Sequence, residues 1–141
     1  MRVTMLLCDS AQQVGGKLYV LGGGWTHILF RGQSMNMSLA VVVAVPWDRT
    51  NERFDIETTL LTEDGLPVEV NEVVVGGTSI LEVGRPPGIK AGSEINAAFV
   101  ANFEGLVLPP GGYVWDLSLA GESLARNPFW VVAPPEQQTA A

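Results

Sequence analysis

The chain has one cysteine, one histidine and eight lysines and arginines among its 141 residues, and each scarcity excludes a class of function. Cys8 has no partner for an internal disulfide, and Cys8 with His27 cannot assemble a zinc centre of the usual His/Cys kind. A Ser-His-Asp or Cys-His arrangement has to pass through His27, whose neighbours Trp25 and Leu29 supply neither an orienting acid nor an oxyanion site. No enzyme is therefore expected: catalytic residues none, metal none, cofactors none. His27 reads instead as a packed or edge histidine on an apolar strand face.

Positive charge is also scarce. Fifteen acids against eight basic residues give a net charge of −7, and nine of those acids lie between Asp48 and Glu82, against Arg49, Arg53 and Arg85 nearby. Nucleic-acid binding needs Lys and Arg clustered to displace condensed counterions, so no nucleic-acid partner is expected, and the acid excess reads as a solvated surface. Long apolar runs are missing too. Val3 to Cys8 is too short for a signal-peptide core or a membrane span, which predicts a cytoplasmic protein with no membrane partner. In that reducing setting Cys8 behaves as a small buried hydrophobe.

What the chain does have is 47% hydrophobic residues, sixteen glycines and nine prolines, the composition of a folded, turn-rich domain. The predicted organisation is one domain over residues 1–133 and a flexible C-terminal tail over 134–141, opened by Pro134-Pro135. The clearest stretch is Leu108 to Leu119, LPPGGYVWDLSL. Prolines and glycines end any helix there, and then Tyr113, Trp115, Leu117 and Leu119 alternate with Val114, Asp116 and Ser118. A tyrosine opening a late strand after a Pro-Gly turn is similar to the tyrosine corner of immunoglobulin-like sandwiches.

Other strands follow the same logic. Val3 to Cys8 and Met37 to Val45 read as central strands covered on both faces. Arg53 to Leu61 alternates and should be half-exposed. Asp64-Gly65 marks a hairpin into Val68 to Val75, Ser79 to Val83 follows, and Ile95, Ala97, Phe99, Ala101 and Phe103 share a face. Lys17 to Leu21 and Trp25 to Phe30 flank Gly22-Gly23-Gly24 as a hairpin or a strand broken by a bulge, and Phe129 to Val132 is the last strand, with its edge unpaired. No helix is expected. The predicted fold is all-β: a single antiparallel β-sandwich, immunoglobulin-like or jelly-roll-like, of about eight to nine strands.

Site candidates are few. The triple glycine lacks the following helix that phosphate loops use, and the loop acids around Asp48 and Glu63 fit no EF-hand pattern. Four tryptophans could offer a stacking platform for a sugar, but Trp115 belongs to the core by parity and the facing of Trp25 and Trp130 is open. The ligand-binding candidates are Trp25, His27 and Arg85, each beside a glycine or proline turn at one end of the sandwich.

Taken together, LLCDSAQQVGGKLYVLGGGW at Leu6 to Trp25, VPW at Val45 to Trp47, EVGRPPG at Glu82 to Gly88 and LPPGGYVWDL at Leu108 to Leu117 resemble a family of small uncharacterised bacterial β-domain proteins, frequent in actinobacteria. The resemblance implies a domain of unknown function and brings no activity, ligand or site residue with it. The expected function is a non-enzymatic protein-interaction or self-assembly domain whose partner is a protein, in the simplest case a second copy; the alternative is a small-ligand or carbohydrate-binding module.

Overall fold

The computed structural model describes residues 1–135; most of the tail expected over 134–141 lies outside them. Eleven strands follow in chain order: β1 (Arg2–Val14), β2 (Lys17–Gly23), β3 (His27–Leu29), β4 (Met35–Val45), β5 (Arg53–Thr62), β6 (Glu69–Val70), β7 (Val73–Val74), β8 (Gly76–Glu82), β9 (Ile95–Leu106), β10 (Gly111–Leu119) and β11 (Glu122–Val132). A 3-10 turn at Trp47–Arg49 is the one helical element among the described residues. The fold is all-β. One sheet has the order β2-β1-β4-β9, a second has β3-β11-β10-β5-β8, and β6-β7 form a small ribbon.

Both larger sheets feed one core. Met37, Leu39, Val41, Val43 and Val45 enter it from β4, and Tyr113, Trp115, Leu117 and Leu119 from β10, all buried. Alternate residues of β4 are mostly buried as well, since Ser38, Ala40 and Ala44 lie under the sheet's other face. A second cluster there joins Ala40 to Cys8 and Ala11. The Cys8 thiol, fully buried, donates to the Ser38 carbonyl at 3.4 Å. Burial pushes its pKa up, the neighbouring Asp9 charge adds to the shift, and a backbone hydrogen bond at Ser10 offsets part of it.

Three expectations about the sheets need correction. Among the described residues the strands number eleven rather than eight to nine, because β3, β6 and β7 are two or three residues long, too short to register as a hydrophobic period. The five-stranded sheet is mixed rather than antiparallel, since β3 runs parallel to β11. That pairing also covers the flank of Phe129 to Val132, so this segment is interior; it extends an eleven-residue strand whose earlier part is disguised by Arg126, Asn127 and Pro128.

The segment Val68 to Val75 is not one strand. Asn71 and Glu72 both take positive φ, 54° and 66°, which folds it back on itself as β6 and β7. Gly22-Gly23-Gly24 makes neither a hairpin nor a bulged continuation: β2 ends in the four-stranded sheet and β3 begins in the other. Gly22 and Gly24 turn the chain between them at φ 63° and 89°.

The Tyr113 hydroxyl donates to the Pro109 carbonyl at 2.7 Å, the contact a tyrosine corner requires, and burial raises the phenol's pKa. Its ring stacks on Phe129 at 5.6 Å between centroids. Tyr113→Phe keeps that stack and removes only the hydroxyl. Because Pro109 is exposed, water can re-satisfy its carbonyl, so the expected loss is about 1 kcal/mol in a urea melt.

Candidate functional site

The three residues singled out from the sequence do not converge. Arg85 follows β8, whose Glu82 pairs with Arg53 at the start of β5. Trp25 packs edge-on against Phe129 at 5.8 Å, and Phe129 pairs with Tyr113, which pairs with Thr62 at the other end of β5. β5 has ten residues, so the two ends lie roughly 30 Å apart at about 3.3 Å per residue.

Arg85 is occupied in place. Its Nε donates to Thr50 Oγ1 at 2.7 Å, its Nη2 to the Trp47 carbonyl at 2.8 Å, and its guanidinium lies 4.2 Å from the Trp47 ring centroid. This clamps the loop after β8 to the turn after β4. Trp25 turns toward the core, and its indole nitrogen is buried with no hydrogen-bond partner among the described residues. A cavity of about 250 Å³ beside it is lined by Leu6, Leu7, Thr26 and Asn127. His27 is exposed rather than packed, and Trp25 does not share its face, because regular strand geometry starts only at His27.

A different tryptophan occupies the surface. Trp130 pairs with His27 across the parallel β3–β11 ladder and with Gly112 across the antiparallel β10–β11 ladder. Paired residues share a sheet face. Trp130 is 52% exposed and its ring closes over Gly112: a Cβ there would lie 2.9 Å from Trp130 Cζ3 and 2.8 Å from Glu63 Oε2. Glu63 is fixed at the same spot, since Gly112 N–H donates to its Oε2 at 3.2 Å and its own N–H donates to the Gly112 carbonyl at 3.1 Å. Exposed Leu29 and Val132 pair beside them.

Trp130 faces outward because of a bulge. The turn after β10 sets Leu119 opposite Glu122 and Ser118 opposite Ser123, but the register then slips so that Leu117 meets Ala125. Leu124 is the extra residue. If the register ran on without the slip, so that Leu124 paired with Leu117, Trp130 would pair with Gly111 and turn inward, exchanging faces with Phe129. Parity from Phe129 to Val132 alone holds no trace of this.

The other distinctive surface lies where the two sheets end, at edge strands β8 and β9. Between them runs a groove of about 380 Å³ lined by Thr58, Gly77, Ser79, Phe99 and Phe103. It exists because Gly77 and Ser79 stand opposite Thr58 and Ile56, on the side of β8 where larger residues would fill the space. Among the described residues no three His, Cys, Asp or Glu side chains form a metal-binding group, and no helix is long and apolar enough to cross a membrane.

These features define an all-β domain with one exposed aromatic face and one open flank. The chain belongs to a family of unknown function, DUF6941, whose model matches residues 3–132. No curated protein matches it.

Proposed function

We propose that this domain is a non-enzymatic, cytoplasmic assembly module that pairs with a second copy of itself through β9. The observation that supports this is the sequence of an edge strand. β9 is twelve residues long and among the described residues pairs only with β4, yet from Ala97 to Ala101 it is apolar on both faces. All five of those residues are half-buried. Edge strands that stay single are guarded by lysine, proline or inward charge, and this one carries no charge from Ile95 to Phe103. The run packs on two apolar clusters, Phe99 and Ala101 on the main core and Val100 on the second, which leaves the backbone edge itself without a guarding charge.

A second copy is the simplest neighbour, because two identical edges related by a two-fold axis satisfy each other's backbone groups. An immunoglobulin-like sandwich is the frame we infer for this arrangement, supported by the Tyr113–Pro109 contact. Light scattering over a concentration series tests the reading. The wild type is expected to dimerise, and Ala98→Lys, which places a guarding charge on the edge, to weaken association by at least about tenfold without changing the thermal melt of the monomer. A wild-type protein that stays monomeric throughout would overturn it.

A further inference from the structure

We infer that the outer face around Trp130 is a binding site for a neutral, gluco-configured pyranose glycan. The site lies beside edge strand β3, across the full width of its sheet from β8 and the open flank, so it is independent of the assembly surface. Its centre is the Trp130 ring, held against the sheet over a glycine and exposed on its free side. A pyranose with equatorial hydroxyls has a flat face of C–H bonds, which an aromatic π face accommodates, and a polar rim that needs hydrogen-bond partners at the ring's edge.

Those partners stand on both sides of Trp130. Glu63 uses Oε2 to hold Gly112 N–H and has no hydrogen bond to Oε1 among the described residues, so Oε1 is available to accept from a sugar hydroxyl. The exposed imidazole of His27 follows at the register position beside the ring, with one nitrogen to donate and one to accept when neutral. The arrangement is pre-organised. Gly112 lets ring and carboxylate meet over one backbone position, and both ladders of β11 fix where the ring stands, which lowers the ordering cost of binding a mobile, hydrated ligand.

The same chemistry limits the ligand. A carboxylate at the rim of a protein with a net charge of −7 disfavours uronic-acid polymers and sulfated glycans. It favours uncharged gluco-configured chains. Leu29 and Val132, exposed next in register, extend the apolar floor for an oligomer rather than a single sugar.

Cellohexaose is the probe, followed by tryptophan fluorescence and by calorimetry on the full chain, with hexagalacturonate as the charged control. Cellohexaose is expected to bind in the millimolar range or tighter and hexagalacturonate not to bind. Trp130→Ala should weaken binding at least about tenfold, Trp130→Phe should retain part of it, and Glu63→Gln should weaken it a few-fold. Trp130→Phe keeps a ring over Gly112, so it separates loss of the platform from loss of the fold. Failure of cellohexaose to bind, or binding by Trp130→Ala within about twofold of wild type, would overturn the inference. So would a dimer that Trp130→Ala dissociates, because Trp130 would then be buried against a second copy; Ala98→Lys tells that outcome apart from failure of the β9 reading.

Discussion

Trp115→Ala is expected to cost about 3–5 kcal/mol, out of a total stability that for a domain of this kind is about 5–15 kcal/mol. Trp115 is fully buried at the point where the two sheets meet. Its ring stacks on Phe103 of β9 at 4.3 Å between centroids, and its indole N–H donates to Met37 Sδ of β4 at 3.4 Å. Truncation removes the largest side chain of the core, leaves Phe103 without its stacking partner, and opens a cavity that rigid ladders on both sides keep from collapsing. Trp115→Phe should cost less, because a ring remains against Phe103 and sulfur is a weak acceptor whose loss is cheap. Urea melts of the two variants would give the order; an alanine variant as stable as wild type would mean the core repacks freely.

That Trp115 is core was legible in the sequence, and so was most of the strand content. β5 and β10 each bury one face in water-facing sheets, which writes a clean period of two, and β4 buries nearly all of itself, which writes an unbroken apolar run. The Tyr113–Pro109 contact was legible because it is local: the two residues are four apart. What was not legible depends on register between distant segments. No local pattern tells that β2 and β3 part into different sheets, that β3 shields Phe129 to Val132, or that Arg85 reaches back to Trp47.

The candidate site shows the same divide. Residue type and nearby turns led to Trp25, His27 and Arg85, and of these only His27 stands beside the exposed ring. Trp25 and Trp130 are alike in sequence, both near the end of a short apolar stretch. Trp130 faces outward because the β10–β11 register slips at Leu124, six residues before it. Gly112 carried a signal that was available, since a glycine at the start of a strand marks a place where something approaches the backbone closely. Only the β10–β11 pairing reveals that the approaching group is Trp130.

Gly76→Ala should be the most damaging of the conservative surface substitutions, at about 3 kcal/mol, although it adds a single methyl group to an exposed strand. A Cβ at Gly76 would run into the carbonyl oxygen of Thr58 and approach Thr59 Cα at 3.3 Å. These are backbone atoms of the neighbouring strand, so no rotamer change relieves the contact; β8 has to part from β5 at the last pair of its ladder, Thr59 with Gly76. Gly77→Ala is the matching control. It stands next in the chain, none of the described residues comes within 4 Å of its added Cβ, and its φ is not positive. The loss of unfolded-chain freedom should then make it neutral or stabilising by up to about 1 kcal/mol. Thermal melts should place Gly76→Ala well below wild type and Gly77→Ala at or above it. Equal tolerance at both positions would mean that β8 is not held against β5 at this end, and that the groove beside Gly77 is wider and more mobile than the ladder implies.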